Sequence, residues 1–558
     1  MADSRADELI RRADRLKAER STYEAHWQEI ADLVRPMRGD FTSRRTPGEK
    51  RTRNLYDGTA LIASENFAAG LWGSITNSAA TWFSLRSPDD AVNEDSAAQG
   101  WLDAVGKRMR SEFSRNGQRF YSQAFEVYAD LSAFGTGIHY ADEDVARGAI
   151  HFQCMNLAEC LIAENQRGEV DSLIRCFTWT ARQAVQMWKA KAPKVCRDAI
   201  EKEPDREFEF LHVVMPREDL DPRRKDARGK PFASLYLSRE DRAVLSEGGY
   251  EEFPYQVPRW GRASRGPYGD SPAMLALPDT KMLQAMTRTT LLGAQKVVDP
   301  PLLVPDERSV RGVRTTPGGI IYGGVNAEGR PMYQPLQTGG RVDFGMEMEN
   351  QRREAIKEAF YWSLLMMAGS PNRTATEVLA QQEERMRLMG PHLGRVQSEF
   401  LDPLINRVFG LMYRAGAFPP PPEILLKSPE IKVEYVGPLA KAQKTTEATA
   451  IIRALETVLP LGQVKPEALD LVNFDESVRG VFDGFGVPSK MLYDDKIVKA
   501  LRDQRSQQIA AQQAMQALPV VAGAAKALTQ GGPGLQAMGE SMKMLAGGAP
   551  VPEGEEAA

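Results

Sequence analysis

The apolar pattern is clearest between Thr374 and Gly416, where it predicts one very long helix interrupted by two prolines. Thr374 and Glu377 form the T-x-x-E pattern of a capping box at its start. At 1.5 Å per residue the helix would span about 60 Å, more than a compact domain needs, and Pro391 and Pro403 should bend it. Such a helix is more typical of a strut in an assembly than of an enzyme core. Its apolar stripe, in steps of three or four residues, is Met386, Met389, Leu393, Val396, Phe400, Leu404, Val408 and Leu411.

The same periodicity predicts a helix on each side of a Gly- and Pro-rich segment, Pro301–Arg341. In the first helix, Ser271 is the N-cap, Pro272 occupies the first helical position, and the apolar stripe ends at Pro300. The second helix is predicted over Asp343–Trp362, and a short break then leads into the long helix. Two strand-like runs lie inside the Gly- and Pro-rich segment, Gly319–Tyr322 and Met332–Leu336.

The first 270 residues mix helices with short strands, which predicts an α/β body. Overall the sequence predicts an α+β protein that is predominantly helical. The expected helices of the N-terminal body are Asp7–Val34, Thr59–Thr76, Asp95–Ala133 and Thr180–Lys191, the last among short strands between His151 and Leu237. After the long helix a strand is expected at Ile431–Tyr435 and helices at Ala440–Leu459 and Val464–Phe482.

The composition argues against some classes of function. With 558 residues, 42% of them apolar, the chain can build several cores. Its net charge of −4 argues against a free-standing DNA-binding protein, which would be distinctly basic. The longest apolar run, Phe360–Gly369, is far short of the ~20 residues that cross a bilayer, so no membrane span is expected. The basic segment Arg35–Arg53 is either a solvated loop or an arm that touches DNA or a neighbouring subunit.

Sequence signatures of catalysis are missing. The chain contains no G-x-x-x-x-G-K-[ST] phosphate loop, no H-E-x-x-H and no G-x-S-x-G. Its five histidines are scattered, and its four cysteines lack C-x-x-C spacing, which predicts reduced thiols. Adjacent acidic residues point apart on a helix and do not make a two-metal site by themselves. We therefore expect no catalytic residues, no metal and no cofactor.

A series of short motifs runs through the chain in a fixed order up to about Tyr493. These motifs are Trp27, Arg35-Pro36, Leu55-Tyr-Asp57, Trp82-Phe83, Tyr268-Gly-Asp-Ser-Pro272, Ala294-Gln-Lys-Val-Val-Asp-Pro-Pro301, Thr374-Ala-Thr-Glu-Val378, Leu388-Met-Gly-Pro391, Leu401-Asp-Pro-Leu-Ile405, Tyr435-Val-Gly-Pro-Leu-Ala-Lys-Ala-Gln-Lys444 and Gly486-Val-Pro488. In number and order they resemble the head-to-tail connecting (portal) proteins of short-tailed bacteriophages.

The resemblance implies a structural protein that forms a ring, a dodecamer in this family, at one capsid vertex. The ring would be the channel for DNA packaging and ejection. It would be assembled in the host cytoplasm and become part of the virion at the head-tail junction. Expected partners are terminase, tail adaptors, major capsid and scaffolding proteins, and double-stranded DNA bound without sequence specificity. The implied parts are an α/β wing (1–270), a first stem helix (271–300), a clip (301–341), a second stem helix (342–362), a tunnel loop (363–373), a long kinked wing helix (374–416), a wing return (417–503) and a C-terminal crown or barrel segment with a tail (504–558).

The resemblance also assigns candidate residues, each with an alternative. The tunnel loop would gate DNA, or its Leu-Met run would pack into the wing core. The stem charges would line the channel, or form solvated faces. The clip arginines would contact terminase and adaptors, or lie in a solvated loop. The three sets are Leu364, Leu365, Met366, Met367, Asn372 and Arg373 in the tunnel loop; Lys281, Arg288, Lys296, Asp343, Glu347, Glu349, Glu354 and Glu358 on the stem; and Arg308, Arg311 and Arg314 in the clip.

Two other classes of protein were weighed against this hypothesis. A nucleic-acid enzyme of the packaging machinery, such as a nuclease or motor subunit, would need the phosphate loop or carboxylate cluster that the sequence lacks. An internal virion or scaffold protein of helical type would not need a Gly- and Pro-rich β insert between two helices. Both remain alternatives at the level of sequence.

Overall fold

The structure is a computed structural model, and each structural statement below concerns the residues that it describes. These are 4–42, 46, 48–53, 55–89, 92–93, 95–115, 119–145, 147–262, 266–304, 318–322, 324–336, 342–365, 388–427, 432–435, 448–460, 471–485, 491–493 and 497–509.

The chain divides into two units, Met1–Glu447 and Ala448–Ala558. The described helices of the first unit are α1 (Ser4–Val34), α2 (Thr59–Ile75), α3 (Ser96–Phe113), α4 (Phe120–Phe134), α5 (Ala181–Trp188), α6 (Lys194–Ala199), α7 (Pro272–Val298), α8 (Val342–Ala359), α9 (Trp362–Leu365), α10 (388–396), α11 (Asp402–Arg414) and α12 (Glu423–Lys427). Those of the second unit are α13 (448–460), α14 (Phe474–Gly484) and α15 (497–509).

The described strands pair antiparallel throughout. Five of them form one sheet in the order β4-β5-β6-β7-β8, so each strand pairs with its neighbour in sequence. A second sheet has the order β3-β2-β9, and two further pairs are β1-β12 and β10-β11. The strands are β1 (Phe83–Arg86), β2 (His139–Asp144), β3 (Ala149–Cys154), β4 (Cys160–Glu164), β5 (Val170–Thr180), β6 (Glu207–Pro216), β7 (Phe232–Ser238), β8 (Ala243–Tyr250), β9 (Tyr255–Gln256), β10 (Leu302–Leu303), β11 (Gln334–Pro335) and β12 (Lys432–Tyr435).

The five-stranded sheet is covered on both faces because its strands alternate. Leu211 and Val213 of β6 pack with Leu9 and Ala13 of α1. Phe208 and Phe210 of the same strand point the other way, toward α5 and α6. Helix α5 begins with a capping box, which the sequence analysis did not predict at this position. In it the Thr180 hydroxyl accepts from the Gln183 backbone N–H at 3.3 Å, and the Gln183 side chain accepts from the Thr180 N–H at 3.0 Å.

The main core joins the remaining elements of the first unit. Trp27, Phe67, Trp82 and Phe120 are buried there with residues of α7, α8 and α11. Pairing of β1 with β12 aligns Phe83 with Tyr435, so the segment after the long helix returns to the N-terminal body. Burial of such large rings supplies most of the driving force for folding this unit.

Three expected elements have different bounds in the structure. The helix predicted over Asp95–Ala133 is two helices, α3 and α4, with Phe113 and Phe120 packed at their junction, ring centres 4.5 Å apart. No strand forms at Gly319–Tyr322; the described pairing in this segment joins Leu302–Leu303 to Gln334–Pro335. The helix predicted from Val464 is described only from Phe474 onward.

Candidate channel and connector surfaces

The two predicted stem helices, α7 and α8, pack side by side and run antiparallel. Arg352 donates to Asp279 at 2.9 Å near one end of the contact. Further along, a Cβ added at Gly345 would lie 2.9 Å from the hydroxyl of Thr290, so the helices are close there. The Ser271 hydroxyl caps α7 by accepting from the Met274 N–H at 3.0 Å, as predicted. We call this pair of helices the stem hairpin.

A partly buried ion cluster ties the stem hairpin to the loop before α2. Arg353 donates to Asp57 at 2.8 Å and to Glu349 at 2.9 Å. Gln284 of α7 accepts from the Asp57 N–H at 3.1 Å and donates to the Asp57 carbonyl at 2.6 Å. Burial alone would raise the pKa of Asp57, but hydrogen bonds from Thr59 and Arg353 hold that pKa below its ordinary value.

The contacts of this cluster contradict the prediction that Glu349 lines the channel. Glu349 is only 4% exposed, because it lies on the side of α8 that faces the core and pairs with Arg353. One of its carboxylate oxygens, Oε1, is buried without a hydrogen-bond partner. A side chain enclosed in this way does not line a channel, so the prediction for Glu349 is wrong.

The other seven stem charges are exposed. Lys281 pairs with Glu29 of α1 at 2.5 Å, and the Arg288 guanidinium lies 6.0 Å from the ring centre of Tyr56. Glu354 pairs with Lys357 at 2.7 Å. Whether these charges face a channel stays a prediction. The remaining exposed members of the set are Lys296, Asp343, Glu347 and Glu358.

The half of the stem hairpin that is farthest from the core exposes many apolar side chains. Leu292 is 50% exposed and Phe344 is 66% exposed. Large apolar side chains grouped in this way on one projecting element mark an interaction surface. The full set is Leu291, Leu292, Val297 and Val298 on α7 and Phe344, Met346 and Met348 on α8.

The break after the stem hairpin begins earlier than predicted. Tyr361 has a left-handed φ of 55°, which ends the helical run before α9. Its ring lies 5.9 Å from that of Trp260 and 6.3 Å from that of Phe67, and this packing holds the unusual backbone.

Two of the six predicted gate residues lie within the described chain. Leu365 is 9% exposed and packs against α2, where a Cβ added at Gly70 would lie 2.9 Å from its Cδ2. Leu364 is partly buried in the same core. For these two residues the contacts match the alternative of packing into the wing. Met366, Met367, Asn372 and Arg373, like the clip residues Arg308, Arg311 and Arg314, lie outside the described residues, so their roles stay predictions.

In the described part of the long helix, Pro403 follows a wide turn. Residues Gln397–Leu401 form a π-helical turn, in which the Asp402 N–H donates to the Gln397 carbonyl. Proline has no N–H to donate and its ring crowds the carbonyl four residues back, so the wider turn relieves that clash. The predicted stripe is confirmed: Met389, Val396, Phe400, Leu404, Val408 and Leu411 are buried, Leu393 is partly buried, and Met386 lies outside the described residues.

Sequence reasoning missed an arginine clamp that holds this turn to the wing. Arg259, 2% exposed, donates to both oxygens of Glu399 at 2.7 and 3.1 Å, and also donates to Glu164. The Arg259 backbone N–H donates to Glu399 at 2.9 Å as well. Burial alone would lower the pKa of Arg259, but its bonds to Glu399 and Glu164 raise it. Arg259 and Glu399 are 140 residues apart, so no local signal in the sequence pairs them.

The described residues hold neither a metal cluster nor a membrane span. Among them, no three His, Cys, Asp or Glu side chains lie close enough together to hold a metal ion. No helix within the described ranges is both long and apolar enough to span a membrane. All four cysteines are free thiols, as predicted.

Comparison with known proteins shows the family to which this chain belongs. Residues 6–492 match the family described as "Bacteriophage head to tail connecting protein". The chain belongs to this family. Its members are structural connectors of the virion, so this connector is a structural protein of the phage head-tail junction.

Two relatives match this connector protein over nearly its whole length. It is 30% identical over 541 residues to the portal protein of Salmonella phage epsilon15, covering 95% of this chain and 96% of that protein. It is also 30% identical over 515 residues to the probable portal protein of Bordetella phage BPP-1, covering 91% of this chain and 92% of that protein.

Similarity to solved structures is weaker. A chain from the virion of a native gene transfer agent particle has a TM-score of 0.35 and 12% identity, covering 78% of this connector and 95% of that chain. A chain from the neck of that native particle, computed with C12 symmetry, has a TM-score of 0.36 and 10% identity, covering 78% of this connector and 92% of that chain.

Proposed function

We propose that this connector forms a closed ring of twelve copies at one capsid vertex, and that the stem hairpins wall a channel for double-stranded DNA. The apolar surface of the stem hairpin carries the proposal, because one protomer leaves these large side chains exposed on two adjacent helices. A repeated head-to-tail contact between identical chains closes into a ring when its rotation permits. Membership in the connector family supports the same assembly.

The ring would be assembled in the host cytoplasm with scaffolding and major capsid proteins. It would guide DNA without catalysing a reaction, while a separate terminase supplies ATP hydrolysis. Sustained metal-dependent nuclease or ATPase turnover by the purified protein would contradict this role and favour an enzyme of the packaging machinery.

The assembly is tested with purified full-length protein at micromolar concentration. Native mass spectrometry should give one closed species, and negative-stain images should show rings with a central opening. Coexpression with the scaffolding protein controls for a need for an assembly partner. A monodisperse monomer under both conditions would contradict the proposal.

Two finer assignments complete the proposal. The clip, with Arg308, Arg311 and Arg314, would dock terminase and later the tail adaptor, because the two stem helices bring both ends of the segment to one side. The part of the tunnel loop beyond Leu365 would narrow the channel around DNA, since Met366 and Met367 are apolar and cannot bind phosphate strongly.

These assignments are separable in a DNA-packaging assay. Deleting residues 308–330 should leave rings that no longer dock terminase, and normal packaging would contradict the clip assignment. Shortening the chain between Met367 and Asn372 should leave rings that package DNA but lose it afterwards. Normal retention of full-length DNA would contradict the gate.

A further inference from the structure

The basic residues of α7 lie on the side of the helix that is turned away from α8. The contacts of Asp279 and Thr290 define the side of α7 that faces α8. At about 100° per residue, Lys281 and Arg288 lie about 170° around the helix from that side. Lys296 lies about 110° from that side, and the half-exposed Leu292 lies between Arg288 and Lys296. We call this side, with Lys281, Arg288, Leu292 and Lys296, the basic flank.

The acidic residues of α8 lie on the opposite outer side of the stem hairpin. Gly345 and Arg352 define the side of α8 that faces α7. Counted in the same way, the four exposed acids lie about 130° to 170° from it. The two helices therefore carry opposite charge on their two outer sides. We call the set Asp343, Glu347, Glu354 and Glu358 the acidic flank.

The two flanks also match in height along the stem. The Asp279–Arg352 bond and the Thr290–Gly345 contact fix the register of the antiparallel pair. At 1.5 Å per residue, this register places Lys281 within about 6 Å of the level of Glu354 along the axis, which is about one helical turn. It places Arg288 within about 6 Å of the level of Glu347. Copies related by rotation about an axis along the stem would keep these levels aligned.

We propose that the basic flank of one copy docks against the acidic flank of the next copy around the ring. This proposal rests on the proposed ring and names the contact that closes it. A head-to-tail interface needs two different, complementary surfaces on each chain, and the two flanks meet that requirement. Leu292 supplies apolar area at the contact. The groove that Leu291, Leu292 and Lys296 line around the end of α7 extends the same surface.

The charges would thus serve mainly to bind and orient neighbouring subunits, and not to repel DNA within the channel. Charge complementarity of this kind suppresses wrong pairings and sets the register of an interface. The pairs of Lys281 with Glu29 and of Glu354 with Lys357 are exposed, so either side chain can turn to a neighbour at little cost.

The test is a charge swap in the full-length protein. One variant, Lys281→Glu with Arg288→Glu, makes the basic flank acidic, and another, Glu347→Lys with Glu354→Lys, makes the acidic flank basic. Each should lower the fraction of protein in rings about tenfold, because like charges would then face each other. The variant with all four changes restores opposite charges and should recover the ring fraction to within about twofold. Native mass spectrometry measures all three.

A matched control reverses two exposed lysines of the wing, Lys107→Glu with Lys225→Glu, and should assemble like the wild type. Thermal unfolding of each dissociated protomer checks that the variants fold. Two outcomes overturn the flank contact: normal assembly of both two-residue variants, or failure of the four-residue variant to recover. If Glu347→Lys with Glu354→Lys assembles normally but alters DNA passage, the acidic residues line the channel instead. Wild-type protein that forms no ring overturns both this contact and the proposed function.

Discussion

The wing and the stem hairpin of this connector differ in how far their large side chains are buried within one chain. In the wing, Trp27 is fully buried, and charged residues such as Arg259 are enclosed with their partners. In the far half of the stem hairpin, Phe344 and Leu292 remain largely exposed. The wing core is therefore stabilised within one chain, whereas in the proposed ring the stem would obtain its packing from other copies. Mutations should follow this division, with wing changes acting on protomer stability and stem changes acting on assembly.

The largest effect is expected at the arginine clamp. Arg259→Ala leaves two partly buried carboxylates, Glu164 and Glu399, without their shared buried cation, and breaking such a pair costs up to about 3–5 kcal/mol. Denaturant unfolding of the protomer measures the loss. Arg262→Ala is the control, because Arg262 pairs with Glu164 from the surface, where such a pair contributes about 0–1 kcal/mol. Equal losses in the two variants would show that the clamp contributes nothing beyond a surface pair.

The second-largest effect expected is a loss of wing stability at acidic pH. Burial lowers the pKa of His139 to about 4, and its Nδ1 lies 2.8 Å from Oε1 of Gln256. In the unfolded chain His139 binds a proton near pH 6.5, whereas in the folded chain it does not. The contribution of His139 to the free energy of unfolding is therefore complete above that pH. It falls as the pH drops toward about 4, by about 3 kcal/mol at 1.36 kcal/mol per pKa unit. His139→Gln should flatten this part of the pH profile of unfolding free energy. An unchanged slope would rule out His139 as its source.

The smallest effect on the protomer is expected at Leu292. Leu292→Ala should change the free energy of unfolding by no more than about 0.5 kcal/mol, because the side chain is half exposed. The same change should still weaken ring assembly in native mass spectrometry. Leu365→Ala is the matched control in the wing, where the buried side chain should cost about 2–5 kcal/mol. A large loss of protomer stability at Leu292 would show that the stem is packed within one chain after all.

Features set by near neighbours in the sequence could be predicted, and those set by distant contacts could not. The Ser271 cap of α7 and the buried stripe of α11 follow from local spacing, and both are confirmed. Glu349 looked like its exposed acidic neighbours, but its burial depends on Asp57 and Arg353, which the fold brings together. A bend was predicted at Pro403, whereas the π-helical turn that precedes this proline was not.

That π turn makes the winding of the long helix as important as its composition. Gln397–Leu401 winds one residue more than a regular α-helical turn would hold. If the same residues wound a regular α-helix instead, everything after the turn would rotate by about 100° relative to everything before it. Leu404 and Val408 would then leave the core although every side chain was conserved. The burial of this stripe therefore depends on the wide turn as much as on the apolar residues themselves.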